Sequence, residues 1–244
     1  MVLIIINEKY KSFEQNYHTD DDREKIKTFC ENAQFTINET DNITADEMDD
    51  LLKNIAETDF SPYDAFICFI VGYCDSQGVV GVDGNSLSVR EIIRPIIKCS
   101  SLAGKPKIFF IHNCKENRKD AGPRITTPVE PDILIVLSGV EKHEFSVNHG
   151  SWYITALAHV LKENAHCMNL TDMLAVVNSM VASMQHCDKK QTPIFMSTLR
   201  QAVRFKNFRN KPEEIPRKKP RKLSGKTHQN QHRRTRRGAA APPV

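Results

Sequence analysis

No stretch of this chain approaches the roughly 18 consecutive apolar residues that a membrane span requires, so no membrane is expected among its partners. The apolar start, Met1-Val2-Leu3-Ile4-Ile5-Ile6-Asn7, is too short for a signal peptide and lacks the basic lead-in. It reads as a buried first strand. Metal-ligand spacings are missing too. The seven cysteines (Cys30, Cys68, Cys74, Cys99, Cys114, Cys167, Cys187) contain no Cys-x-x-Cys pair and join no histidine at zinc spacing, so neither a metal nor another cofactor is expected. An odd count fits free thiols in a reducing cytosol or nucleus, most of them core residues.

Charge is present in both signs but unevenly placed. The 244 residues carry 34 basic and 30 acidic side chains, a formal net charge of +4. From Lys211 onward there are 11 basic residues and 2 acidic ones, so residues 1–210 are net −5. A body of about 200 residues is a comfortable single domain, and the 40% hydrophobic content argues against wholesale disorder. The tail is different in kind. Its basic blocks, Arg217-Lys218-Lys219-Pro220-Arg221-Lys222 and Arg233-Arg234-Thr235-Arg236-Arg237, sit among Ser, Gly, Gln, Asn and Pro. Such a segment cannot bury enough apolar surface to fold alone. Arg217, Lys218, Lys219, Arg221 and Lys222 are a candidate nuclear signal read by import factors, against the plainer reading of a solvated end. Nucleic acid is the weaker partner expectation for these charges. The expected compartment is the cytoplasm, with the nucleus second.

Strand and helix signals alternate along the body. Thr19-Asp20-Asp21-Asp22 suits a helix N-terminus, and Gln34-Phe35-Thr36-Ile37 alternates as a strand does. Thr44-Ala45-Asp46-Glu47 and Ser88-Val89-Arg90-Glu91 have capping-box spacing, with Pro95 expected to interrupt the second helix. Ala65–Val71 is a continuous apolar run of strand length, as a strand covered on both faces is, and Lys107–His112 is the next buried strand. Glycines 72, 78, 81 and 84 mark turns and a small hairpin between them. Ile133–Leu137 is a further strand, helices follow at about 151–163 and 171–185, and Pro193–Ser197 is the last strand. This order predicts an α/β sandwich with a mostly parallel sheet. Ligands bind such sheets beyond the C-terminal strand ends, here those of 65–71 and 107–112.

Several of these blocks, in this order, resemble the caspases. Gly104-Lys105-Pro106-Lys107-Ile108-Phe109-Phe110-Ile111-His112-Asn113-Cys114 is similar to the strand that delivers the family's nucleophile. Asp64 to Gly84 resembles the strand and hairpin that carry its histidine. Pro128-Val129-Glu130-Pro131-Asp132 and Gly150-Ser151-Trp152-Tyr153-Ile154 resemble the start of the small subunit and a helix entry within it. Pro193–Leu199 resembles the final strand, which in this family pairs at the dimer interface. The resemblance covers about residues 2–206. It implies a caspase-like three-layer sandwich around a central, mostly parallel six-stranded sheet. The implied domain is 1–207, with about 1–120 like the large subunit and 128–207 like the small one, followed by a disordered basic tail, 208–244. The short connection from Cys114 to Pro128 predicts an uncleaved chain, and no pro-domain is expected before the first strand.

The resemblance also implies positions for the chemistry, and many are altered. A cysteine protease needs a thiolate, a histidine to activate it, and donors for the oxyanion. Cys114 stands at the nucleophile position. Tyr73 stands at the histidine position and Cys74 at that of the oxyanion glycine. A phenol of ordinary pKa, near ~10, is neutral at pH 7 and a poor acceptor for a thiol proton. Losing a general base costs on the order of 10²–10⁴-fold. Caspases hold the substrate aspartate with two arginines and a glutamine; here those positions carry Asn16, Phe145 and His112. Arginine is absent from the first 22 residues and from 141–151, so the loss does not depend on the register. The family's Arg-Gly after the nucleophile becomes Lys115-Glu116.

Two readings of His112 stand open. Two residues before Cys114 on an extended strand, it shares a side with the thiol and could act as an unorthodox base; the plainer reading is that it fills the vacated pocket. Cys114 is correspondingly either a nucleophile or a leftover thiol made inert by the lack of a base. The expected function is that of a pseudocaspase, a non-proteolytic regulator that pairs with an active caspase, or with itself, in apoptosis or a related pathway. Its pairing surface would be the edge Ile194-Phe195-Met196. The alternative is an active cysteine endopeptidase of altered specificity that uses Cys114.

Overall fold

The computed structural model describes residues 1–11, 19–113, 130–139, 150–184 and 191–205. Its sheet starts with β1 (Val2–Ile6), flanked by β2 (Ile37–Asp41) and β3 (Phe66–Gly72), both parallel to it. Further strands are β4 (Val79–Val80) and β5 (Ser86–Leu87), which form a separate hairpin, then β6 (Lys107–Asn113), β7 (Ile133–Leu137) and β8 (Ile194–Ser197). The main sheet runs β2-β1-β3-β6-β7-β8, with only β8 antiparallel to its neighbour. Five helices cover it among the described residues: α1 (Asp20–Asn32), α2 (Ala45–Ala56), α3 (Val89–Lys98), α4 (Trp152–Asn164) and α5 (Leu170–Ser183).

The apolar strands are explained by burial on both faces. Alternate residues of β1 point to opposite sides, so Val2, Ile4 and Ile6 join one core while Leu3 and Ile5 join another. β3, β6 and β7 divide in the same way. The first core lies under α1, α4 and α5, and the second under α2 and α3. Phe69 of β3 and Phe110 of β6 stack within the first core, with ring centroids 4.6 Å apart and planes 8° from parallel. The expected three-layer sandwich around a mostly parallel six-stranded sheet is what the chain forms.

Both capping boxes close. Glu47 donates its backbone N–H to Thr44 Oγ1 at 3.1 Å, and its carboxylate accepts from the Thr44 amide at 2.8 Å. Ser88 and Glu91 repeat the exchange at 3.2 and 2.9 Å. Pro95, by contrast, does not interrupt its helix. α3 continues to Lys98 because Ile92, Ile93 and Ile96 are buried along one stripe, and this packing outweighs the one backbone bond a proline removes.

The strand expected at Gln34–Ile37 also needs correction. Gln34 and Phe35 close α1 instead. Gln34, at φ 57°, and Phe35 return their amides to Glu31 O and Cys30 O, a Schellman motif, and Phe35 packs edge-on against Phe29. Strand pairing begins only at Ile37. In the β4–β5 hairpin, Gly78 is required sterically: a Cβ there would lie 2.0 Å from Leu87 O.

Candidate active site

Parallel pairing of β3 and β6 brings Gly72 opposite Asn113, so the two strands end side by side. Tyr73 and Cys74 follow β3, and Cys114 follows β6 just beyond the described residues. Asn16, Phe145 and the basic blocks of the tail also lie outside them. The described part of the site is therefore Tyr73, Cys74, His112 and Asn113 with the side chains around them.

Tyr73 is buried, its ring edge-on to Tyr10 at 6.4 Å and grouped with Val80. Its backbone N–H donates to the Tyr10 hydroxyl at 2.7 Å, and that hydroxyl donates in turn to Asn7 O at 3.2 Å. Cys74 is buried as a free thiol, pushed up to about 12 by desolvation first and then by the Asp75 carboxylate. At neutral pH it is no thiolate, and so no nucleophile. The Cys74 amide donates to Asn113 Oδ1 at 3.0 Å.

His112 and Asn113 are consecutive on β6 and so face opposite sides of the sheet. His112 points into the α1–α4 side. It is 1% exposed and stacks on Tyr153 of α4, with centroids 5.8 Å apart and planes 22° from parallel. Its Nε2 lies 3.9 Å from Asp22 Oδ2 of α1, beyond hydrogen-bonding range. Among the described residues, both ring nitrogens, Asp22 Oδ2 and the Tyr153 hydroxyl are buried without hydrogen-bond partners. Desolvation holds the imidazole down to about 3, so it is neutral throughout the physiological range.

Asp22 is also fully buried, and desolvation raises its carboxyl. Against this, its Oδ1 accepts from the Ser151 amide at 2.9 Å and from Ser151 Oγ at 3.2 Å. Ser151 Oγ accepts from the Ile154 amide and so caps α4 as well. This cluster joins α1 to α4 beneath the end of β6. Sequence reading took Asp22 only as part of an acidic helix start and Asn113 only as a strand terminus. Neither spacing nor residue type signals a contact 129 residues away or a side chain that turns across to the neighbouring strand.

Among the described residues, no three His, Cys, Asp or Glu side chains form a group able to hold a metal ion, and no helix is long and apolar enough to cross a membrane. Ile194, Phe195 and Met196 lie on β8, which ends the sheet. Ile194 is 49% exposed, whereas Phe195 and Met196 are half-buried, Phe195 against the first core. The three residues therefore do not form one uniform exposed patch: the free apolar surface centres on Ile194.

The caspase domain profile matches residues 1–204. The chain belongs to the caspase family. This caspase homologue is 30% identical to Caspase-3 of Bos taurus over 233 residues, an overlap of 83% of each protein. To Caspase-8 of Mus musculus it is 29% identical, across 77% of this chain and 45% of that one. Among solved structures, one of pro-sf-caspase-1 is 26% identical with a TM-score of 0.72, covering 84% of this chain and 93% of the other. Caspase-1 from Spodoptera frugiperda shares the fold at a TM-score of 0.74, with 84% and 88% covered.

Proposed function

We propose that this caspase homologue is a catalytically deficient regulator that acts by pairing with an active caspase in apoptosis or a related pathway. The observation that carries the reading is Tyr73 at the position of the family's histidine, its ring packed inward against Tyr10 rather than offered as a base. His112 does not replace it. Its neutral, desolvated ring lies among Asp22 and Tyr153, and taking up a thiol proton there would create a buried imidazolium beside a carboxylate that burial itself disfavours. The missing arginines point the same way, since an acidic substrate side chain would lack its charge-assisted partners.

Regulation by pairing draws on the family's habit of dimerising and on the edge position of β8. An exposed strand edge is a template for another chain unless it is blunted. A peptide library not biased towards aspartate, assayed with the wild-type protein and with Cys114→Ala, tests the reading. The expected result is no turnover that depends on Cys114. Turnover present in the wild type and lost in Cys114→Ala would establish an active endopeptidase of altered specificity instead.

A further inference from the structure

A basic ring and a carboxylate meet beneath the end of β6 without bonding. His112 Nε2 and Asp22 Oδ2 stand 3.9 Å apart, and neither atom has a hydrogen-bond partner among the described residues. Both side chains are shut away from water, at 1% and 0% exposure. A closure of about 1 Å brings the two atoms into hydrogen-bonding range. With an ionised Asp22, that bond would still leave the pair with a buried negative charge, which is costly. One further proton makes the pair neutral.

The geometry points to an acid-closed latch: a single proton, carried on Asp22 Oδ2 and donated to His112 Nε2, ties the start of α1 to the end of β6. The ring then holds its own hydrogen on Nδ1 and accepts at Nε2. Asp22 Oδ1 remains a carbonyl oxygen, so it keeps the Ser151 amide at 2.9 Å and Ser151 Oγ at 3.2 Å. The latch therefore closes without releasing α4. Desolvation raises the carboxyl and lowers the imidazole, which places the first proton on Asp22 rather than on the ring.

The other described groups around the pair leave that proton to it. On α1, Lys25 is bonded to Asp21, and these two charges act on Asp22 in opposite directions. On α4, Ser151 serves Oδ1, and burial pushes the Tyr153 phenol far above its ordinary value, so it stays protonated. Ser138, which follows β7, donates its hydroxyl to Gly139 O and accepts from the Asn113 amide. β3, β7 and α5 face this core with apolar side chains, Val71, Val136 and Val177 among them.

The test is an NMR titration of the full-length protein, labelled at the aspartate carboxyl carbons and the histidine ring nitrogens. It runs from neutral pH down through the ordinary carboxylate range. The Asp22 carboxyl is expected to titrate with a midpoint above the ordinary 3.8. His112 Nε2 shifts at the same midpoint, and the ring does not become an imidazolium there. Asp22→Asn supplies an N–H in place of Oδ2, because the Ser151 amide holds the carboxamide oxygen at the Oδ1 position. That variant is expected to show the acid-state Nε2 shift already at neutral pH, with no midpoint at His112.

An Asp22 midpoint at or below 3.8 overturns the proposal. So does a His112 ring that ignores the Asp22 midpoint, or one that becomes an imidazolium at it. In the variant, a neutral-pH Nε2 shift equal to that of the wild type counts against it equally. Should Asp22→Asn fail to fold, the wild-type titration decides alone, since through-bond correlations assign both resonances. The latch stands apart from the regulatory reading, and peptide cleavage is decided separately by the library assay.

Discussion

His112, Asp22 and Tyr153 show how a single position can change the character of a site. Each unpaired buried polar group costs about 1–3 kcal/mol, and here three side chains with such atoms meet beneath one strand end. The imidazole is held at about 3, below the ordinary 6.5. As pH falls, the unfolded chain therefore takes up this proton first, and the native state loses stability from about pH 6.5 downward towards pH 3. Asp22 has the opposite sign: its raised carboxyl takes up a proton first in the native state, adding stability as pH falls towards the ordinary carboxylate range. Comparison with His112→Gln isolates the histidine. Denaturant unfolding at pH 7 and pH 5 is expected to show the wild type losing about 2 kcal/mol more than the variant over that interval. Equal losses would mean that the ring is not held neutral.

Helix ends were the most legible elements, because a cap is a local device. Ser88 and Glu91 lie three residues apart in sequence and exchange hydrogen bonds across one turn. Ser88→Ala is expected to cost about 1 kcal/mol in denaturant unfolding with the slope unchanged. A loss under about 0.3 kcal/mol would show that tertiary packing alone fixes the start of α3. Elements failed to read true where packing overrode a local rule. Pro95 stays inside α3 because the buried isoleucines hold the helix around it. Gln34-Phe35 looked strand-like because the left-handed residue of the Schellman motif is a glutamine rather than the usual glycine, and because Phe35 serves Phe29 and Phe205 rather than the sheet.

At the scale of the whole molecule, β8 is the edge through which the proposed pairing with a partner would run. Among the described residues it is the one antiparallel strand of the main sheet and stands at its edge, with Ile194 half exposed. Ile194→Asp adds a charge there without opening the core, unlike a change at Phe195, which packs against it. Sedimentation of the purified protein, alone and mixed with an active caspase, is expected to show pairing weakened about tenfold or more by this change. Pairing at wild-type strength would move the interface elsewhere.

The alternation of apolar strands with capped helices was enough to determine the layered sheet, because each strand's burial and each cap is written in adjacent residues. Residue types alone also carried the expectation that histidine and arginine are missing at the family's positions. Only the tertiary structure decided how the described residues at these strand ends pack. Tyr73 turned in against Tyr10, His112 became a desolvated neutral ring between α1 and α4, and Asn113 reached across to the Cys74 amide. Those outcomes depend on which strand ends stand side by side and on how much water reaches them. Both are properties of packing between segments distant in the chain, and no local pattern encodes them.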